Sequence, residues 1–154
     1  MNIIVTGGAG FIGSNFIFYM LKTHPDYKLI CIDKLTYSGN IATLSSIMHE
    51  PNFKFFKADI CDRDAIFKIF ESEHPDIVVN FAAESHVDRS LVEPGVFIET
   101  NVKGTLTLLK AALDKKLERF LQVSTDEVYG SLGTAGYFTE KTPLSPNSPY
   151  SASK

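Results

Sequence analysis

Asn2-Ile3-Ile4-Val5-Thr6-Gly7-Gly8-Ala9-Gly10-Phe11-Ile12-Gly13 decides how this chain folds. Asn2–Thr6 is apolar and β-branched without alternation, the pattern of a strand covered on both faces. Phe11–Lys22 then carries helical spacing of apolar residues. Between them Gly7, Gly10 and Gly13 stand at G-x-x-G-x-x-G spacing. Such glycines permit positive φ and let a ligand approach the backbone closely. The helix start supplies free N–H groups and partial positive charge. A glycine-rich turn alone is weak evidence. Its place between a strand and a helix points to dinucleotide phosphate binding at Gly7, Gly10 and Gly13.

Working outward, the same alternation continues. Lys28–Asp33 reads as a second strand, and apolar spacing over 40–48 (Ile41, Leu44, Ile47, Met48) suits a helix. Asn52–Lys57 is a third strand. Asp62–Ser72 is a helix capped by Asp62. Asp76–Phe81 is a fourth strand, Pro94–Asp114 a long helix, and Arg119–Ser124 a fifth strand. The stretch 130–148 is rich in Gly, Thr, Ser and Pro and reads as a loop. Ser148 and Pro149 then read as the cap and first residue of another helix, interrupted at Lys154. Apolar strands alternating with helices predict an α/β fold with a doubly wound parallel sheet. Ligands of such sheets sit at the carboxyl ends of the strands.

Bulk properties narrow the function classes. The chain has 154 residues, 44% hydrophobic and 21% charged, with a net charge of −3. That suits one domain with a core. No basic run suggests nucleic acid or a membrane surface, and no apolar run is long enough to span a bilayer. The N-terminus has no signal-peptide pattern. Cys31 and Cys61 form no metal or disulfide motif, so a cytoplasmic setting is expected. His24, His49, His74 and His86 lack partners at metal-ligand spacing, and no metal is expected.

Several polar residues follow strands directly. Asp33 closes the second strand, where a carboxylate accepts hydrogen bonds from ribose hydroxyls and repels a 2′-phosphate. Lys34 blurs that preference for NAD by adding a nearby cation. Asp59, after the third strand, suits an adenine amino group. Asp126 and Glu127 follow the fifth strand as adjacent acids, which resist ionising together at a partly buried site. Tyr150 and Lys154, four apart on a helix, share a face, and an ammonium beside a phenol favours the phenolate. Tyr137 and Lys141 share that spacing. Gly136 and Pro143 flank that pair and no helical pattern surrounds it.

TGGAGFIGS, DKLTYSGN, ADICD, NFAAESHVDRS, VSTDEVYG and SPYSASK occur in the order found in the extended short-chain dehydrogenase/reductase family. Taken together they most resemble its dTDP-glucose 4,6-dehydratases, across the whole chain. Phe81 stands where related sequences often have Leu, and the loop between Gly130 and Tyr150 is shorter than in some of them. The resemblance implies a Rossmann domain that binds NAD. Its site would be lined by Gly7, Gly10, Phe11, Ile12, Gly13, Asp33, Lys34, Leu35, Thr36, Asp59, Ile60, Phe81, Ala82, Ala83, Ser85, Thr100, Tyr150 and Lys154. Ser85 and Thr125 would touch the sugar nucleotide.

The implied reaction is that of a lyase. The sugar is oxidised at C4, loses water across C5–C6 and is reduced at C6. Tyr150 with Lys154 would act on the 4-hydroxyl and Thr125 would hydrogen-bond the C4 oxygen. Asp126 would protonate the leaving hydroxyl and Glu127 would remove the C5 proton. The same motifs leave open another nucleotide-sugar dehydratase, an epimerase or a decarboxylase of the family, or a non-catalytic NAD-binding module. An epimerase needs no acid–base pair for elimination, which disfavours it. Family members continue well beyond a position such as Lys154. Residues 1–154 are therefore expected to be an incomplete NAD-binding domain without the C-terminal substrate-binding part, inactive alone. Its full-length parent is expected to be a homodimer acting on dTDP-glucose, in dTDP-rhamnose biosynthesis.

Overall fold

The computed structural model describes every residue from Met1 to Lys154. Two compact units form, one from 1–82 with 104–123 and the other from 83–103 with 124–154.

The first unit is built on a parallel sheet of five strands, β1 (Asn2–Thr6), β2 (Lys28–Asp33), β3 (Phe53–Lys57), β4 (Ile77–Asn80) and β5 (Arg119–Gln122), in the order β3-β2-β1-β4-β5. Thr6 is in register with Ile32 on one side and Asn80 on the other. The order reverses beside β1, creating the switch point of a doubly wound fold between β1 and β4.

Alternate residues of these strands feed two cores. Ile4, Ile30, Ile32 and Val78 pack with Ile66, Ile69 and Phe70 of α2 (Arg63–Glu73) and Leu108, Ala111 and Ala112 of α5 (Thr105–Asp114). Ile3, Val5, Leu29, Cys31 and Val79 pack on the opposite face with Ile17 of α1 (Phe11–Thr23) and with Leu44. Helices thus cover both faces, as the unbroken apolar runs require. β3 and β5 differ from that expectation. As edge strands they are only partly covered, and Lys54, Lys57, Arg119 and Leu121 are exposed.

Other boundaries also shift. The helix expected over 40–48 is a 3-10 helix, Ile41–Ile47, started by Asn40, whose side chain accepts from the Ala42 N–H. Asp62 caps α2 by accepting from the Ala65 N–H, as its spacing predicts. The helix expected over Pro94–Asp114 consists of α4 (Pro94–Phe97), a π-helical segment Ile98–Gly104 and α5. Its spacing fits helix throughout, and periodicity does not register one wide turn. The strand ends expected at Phe81 and Ser124 fall at Asn80 and Gln122.

The second unit holds α3 (Val87–Val92), α4, most of the π segment and α6 (Pro149–Ser153). α3 has no counterpart in the sequence reading, because six residues are too few for periodicity. Its cap is His86, whose Nδ1 accepts from the Arg89 N–H. Ser148 and Pro149 start α6 as expected, with a full capping box between Ser148 and Ser151. No helix of the chain is long and apolar enough to cross a membrane.

One buried acid ties three elements of the first unit together. Glu73, 5% exposed at the end of α2, receives Lys28 Nζ at 2.7 Å and Lys54 Nζ at 3.0 Å. Burial pushes its carboxyl up, but the two ammonium groups more than offset this and hold it below the ordinary range. This contribution to stability is complete above the unfolded-chain pKa, about 4.3. It is lost as pH falls through the lower folded value. Glu73→Gln is expected to cost about 1–3 kcal/mol at neutral pH. Urea unfolding should show the gap to the parent narrowing as pH falls below the unfolded-chain value of about 4.3.

Candidate functional site

The carboxyl end of β1 runs into a turn with no room for side chains. Gly7 has φ +66°, and its N–H donates to the Ile32 carbonyl at 2.9 Å. A Cβ at Gly7 would lie 2.7 Å from the backbone nitrogen of Ala82. A Cβ at Gly13 would strike the Gly7 carbonyl oxygen. Gly10 occupies the α1 N-cap and supplies no capping side chain, and no acid stands in the first turn. The first N–H groups of α1 therefore keep their capacity for an anion. Phe11 and Ile12, expected at the cofactor, are 85% and 62% exposed, leaving apolar surface at this end of the helix.

Asp33 is buried at the end of β2. Its Oδ2 accepts from the Ala9 N–H at 3.0 Å and its Oδ1 from the Leu35 N–H at 2.7 Å. The residue expected to meet ribose thus also ties the glycine turn to the exit of β2. Leu35 has φ +59° and is held there by that bond. Lys34 and Thr36 are exposed. Lys34 Nζ pairs with Asp59 at 2.5 Å, and the Cys61 N–H donates to Asp59 Oδ1 at 2.9 Å. Burial alone would raise the Asp59 carboxyl, but Lys34 and that N–H bring it below the ordinary range. Ile60 is 4% exposed and its side chain belongs to the core, so a ligand would meet its backbone.

The strand ends are joined by a buried polar network that the sequence reading missed. Thr6 Oγ1 donates to Asn80 Oδ1, and Asn80 Nδ2 donates to Gln122 Oε1 at 2.7 Å and Thr105 Oγ1 at 3.3 Å. The Ala82 N–H donates back to Thr6 Oγ1 at 3.3 Å. The available signal was a polar residue closing each of three strands. Phe81 is half-buried against Phe16, ring centroids 5.4 Å apart.

The second unit carries the candidate acid–base groups. Thr125 caps a 3-10 helix, Asp126–Tyr129, by accepting from the Glu127 N–H. Asp126 and Glu127 thus sit in a helical first turn rather than an open loop. Asp126 is exposed and Glu127 half-buried, so the shared partly buried setting expected for the pair is not what the fold provides. Tyr150 is half-buried in α6, edge-on to the buried ring of Phe97, with centroids 6.4 Å apart. Ser124 Oγ donates to the Lys154 carbonyl at 3.2 Å, tying the segment before Thr125 to the end of α6. Burial lowers the Lys154 ammonium from its ordinary value. Ser85 is exposed, Ala83 half-buried, and Thr100 half-buried in the π segment. Glu84 is 7% exposed. Its Oε2 makes no hydrogen bond and faces Arg89 Nη1 at 3.7 Å. Tyr137, which shares the four-residue spacing with Lys141, is 93% exposed in irregular chain, so that pair does not share a helix face. No group of three His, Cys, Asp or Glu is placed to hold a metal ion.

Residues 4–154 match the sequence model of the GDP-mannose 4,6 dehydratase family. The chain belongs to that family. A low-salt glycan biosynthesis protein of Haloferax volcanii is 51% identical over 154 residues, which is all of this chain and 48% of that protein. The crystal structure of a dTDP-glucose 4,6-dehydratase of Bacillus anthracis in complex with NAD is similar at a TM-score of 0.90 and 51% identity, covering 100% of this chain and 47% of that one. A dTDP-glucose 4,6-dehydratase of Streptomyces venezuelae, also crystallised with NAD, gives a TM-score of 0.93 at 49% identity, with 100% and 48% covered. The chain spans about half the length of the curated relatives it matches.

The role of Asp33 as a tie within this site has a direct test. Asp33→Ala strips the acceptors from the N–H groups of Ala9 and Leu35 and is expected to cost about 1–3 kcal/mol in urea unfolding. Hydrogen exchange at those two amides should accelerate with it.

Proposed function

We propose that the protein containing this chain is an NAD-dependent dTDP-glucose 4,6-dehydratase that forms dTDP-4-keto-6-deoxyglucose. The observation that carries this reading is the Thr125-Asp126-Glu127 turn in one unit with Tyr150 and Lys154. Elimination needs both an acid and a base besides the group acting on the 4-hydroxyl, and these residues supply all three.

The residues of the first unit fit NAD. Gly7 and Gly13 keep the turn free of side chains, the start of α1 is uncapped, and Asp33 places a buried carboxylate beside the turn. The α1 N-terminus binds the pyrophosphate. Asp33 has lone pairs left for ribose hydroxyls and disfavours a 2′-phosphate. Lys34, neutralised by Asp59, does little to reverse that preference. When bound, NAD supplies the hydride acceptor and donor of the cycle.

In this reading Tyr150 takes the proton of the 4-hydroxyl and Lys154 favours its phenolate. Thr125 donates a hydrogen bond to the C4 oxygen. Oxidation at C4 acidifies the neighbouring C5–H. Glu127 removes that proton and Asp126 protonates the 6-hydroxyl, which leaves as water. Once hydride is returned to C6, C5 must regain a proton, which Glu127 would give back, so the reaction loses water without net redox change. Ser85 holds the sugar nucleotide. The protein works in the cytoplasm, where thiols such as Cys31 and Cys61 stay reduced.

The full-length protein incubated with dTDP-glucose should give the alkaline absorbance of a 4-keto-6-deoxy sugar, with solvent deuterium at C5. Asp126→Asn and Glu127→Gln should each lower kcat by about 10²–10⁴ while NAD stays bound. Glu127→Gln should also abolish C5 exchange. A folded, NAD-loaded parent that makes no keto sugar would sink the reading.

The partner of the full-length protein is a second copy. Leu106, Leu109 and Leu113, 48%, 44% and 80% exposed, line one face of α5. That apolar stripe suits a paired helix. Leu113→Glu is expected to turn a full-length dimer into a monomer in sedimentation experiments.

A further inference from the structure

The acids of the proposed elimination stand on a 3-10 helix of four residues, Asp126–Tyr129. One tight turn has poor hydrogen-bond geometry and does not hold its own shape, so its ends must be held from outside. Thr125 holds the first end, accepting from the Glu127 N–H at 3.3 Å. At the second end the Gly130 N–H donates to the Glu127 carbonyl at 3.1 Å, and the Ser145 N–H donates to the Val128 carbonyl at 3.0 Å. Tyr129 stacks on Phe138, with ring centroids 5.2 Å apart and planes at 29°.

Ser145 and Phe138 both belong to the loop that follows Gly130, and that loop is fitted to the turn. Gly130 has φ +89°, and a Cβ there would lie 2.5 Å from the Ser145 carbonyl oxygen, so a side chain would part the two segments. Asn147 Nδ2 donates to Ser131 Oγ at 2.9 Å and closes the base of the loop. Of the apolar side chains between these ends, Leu132, Ala135, Tyr137 and Leu144 are exposed and Phe138 alone is half-buried. The loop thus has one apolar anchor, and it ends on the turn carrying Asp126 and Glu127. A turn over 139–142 follows at once. Its Thr142 N–H donates to the Thr139 carbonyl at 3.0 Å, and its Thr139 N–H donates to Thr142 Oγ1 at 2.9 Å. It fixes the backbone beside Phe138, so the ring is presented to Tyr129 rather than free to drift. Stacked rings attract beyond the area they bury, and the attraction is directional.

We propose, on the roles given above to Asp126 and Glu127, that Phe138, acting through Tyr129, is a positioning residue that aims these two acids and serves elimination rather than oxidation at C4. The two halves of the cycle use different groups. Oxidation passes the C4 hydride to NAD and the 4-hydroxyl proton to Tyr150, which stands on α6. Elimination passes the C5 proton to Glu127 and a proton from Asp126 to the 6-hydroxyl, forms the C5–C6 double bond and releases water. Only the second half draws its acid and base from the turn that Phe138 holds. A displacement of about 1 Å in such a geometry costs about 100-fold in rate.

The test uses the full-length protein with bound NAD and dTDP-glucose. Phe138→Ala should lower kcat by about 100-fold, with KM changed by less than about threefold. In a single turnover its cofactor should be reduced at a rate within about threefold of the parent's and then stay reduced, because C4 is oxidised and elimination stalls. The near-ultraviolet absorbance of the reduced cofactor reports this. Phe138→Tyr keeps the ring and should keep parental kcat. Gly130→Ala, which drives the loop off the turn, should reproduce Phe138→Ala. Tyr137→Ala, which removes the neighbouring exposed ring, should leave both rates parental. A Phe138→Ala protein with parental kcat, whatever its melting temperature, would make the stack merely structural and overturn the proposal. Equal slowing of cofactor reduction and turnover would overturn it too. If Gly130→Ala does not fold, Phe138→Ala decides alone. Hydrogen exchange separates this inference from the reaction on which it rests. Peptides covering 126–131 should exchange faster in Phe138→Ala even if the parent makes no keto sugar. Unchanged exchange there would overturn the clamp in an active enzyme as well.

Discussion

The placement of β1 between β2 and β4, all parallel, is the constraint on which the first unit of this chain depends. Parallel neighbours force each connection over a face of the sheet, and the order reverses at β1. The helix that follows β1, α1, covers one face of the sheet, and α5 covers the other. Backbone meets backbone at the end of β1. Gly7 lies against Ala82 so closely that even a methyl group does not fit. The glycine turn is thus a packing requirement of the sheet before it is a binding site.

Buried charge in the same unit is used sparingly and always answered. Asp33 faces two backbone N–H groups, and Glu73 faces two ammonium groups that keep their own access to water. Such arrangements meet the cost of desolvation with several short bonds. The polar network of Thr6, Asn80, Gln122 and Thr105 follows the same rule without charge. It locks the strand ends to one another, which lets the loops beyond them be polar and functional without loosening the sheet. Cys31 lies in the opposite core, and its burial holds the thiol protonated and inert.

The second unit relies on hydrogen bonds more than on apolar burial. Phe97 with Tyr150 and Tyr129 with Phe138 provide two aromatic contacts. Asn101, Ser153, Ser124 and the Ser148–Ser151 capping box supply much of the rest. Polar side chains make directional contacts, which suits a unit whose proposed task is to aim acids and bases. Glu84 is the exception. Its buried Oε2 makes no hydrogen bond and is balanced only by the longer approach of Arg89.

The repeating pattern of apolar runs, glycines and helical spacing determined the strand order class, both cores and the start of α1, α2 and α6. Those features are local, because the period of two or 3.6 residues and the cap chemistry are written in neighbouring side chains. Motif spacing likewise marked Gly7, Asp33, Thr125–Glu127, Tyr150 and Lys154 as residues of interest. Only the tertiary structure decided what surrounds them. The exposure of Asp126, the Lys34–Asp59 pair and the π turn that buries Asn101 each depend on residues brought together from distant segments. Thr6 and Asn80 are 74 positions apart, and Asn101 and Ser153 are 52 apart. Periodicity along a chain carries no record of such meetings, so burial and partner choice at the site appear only once the sheet has assembled.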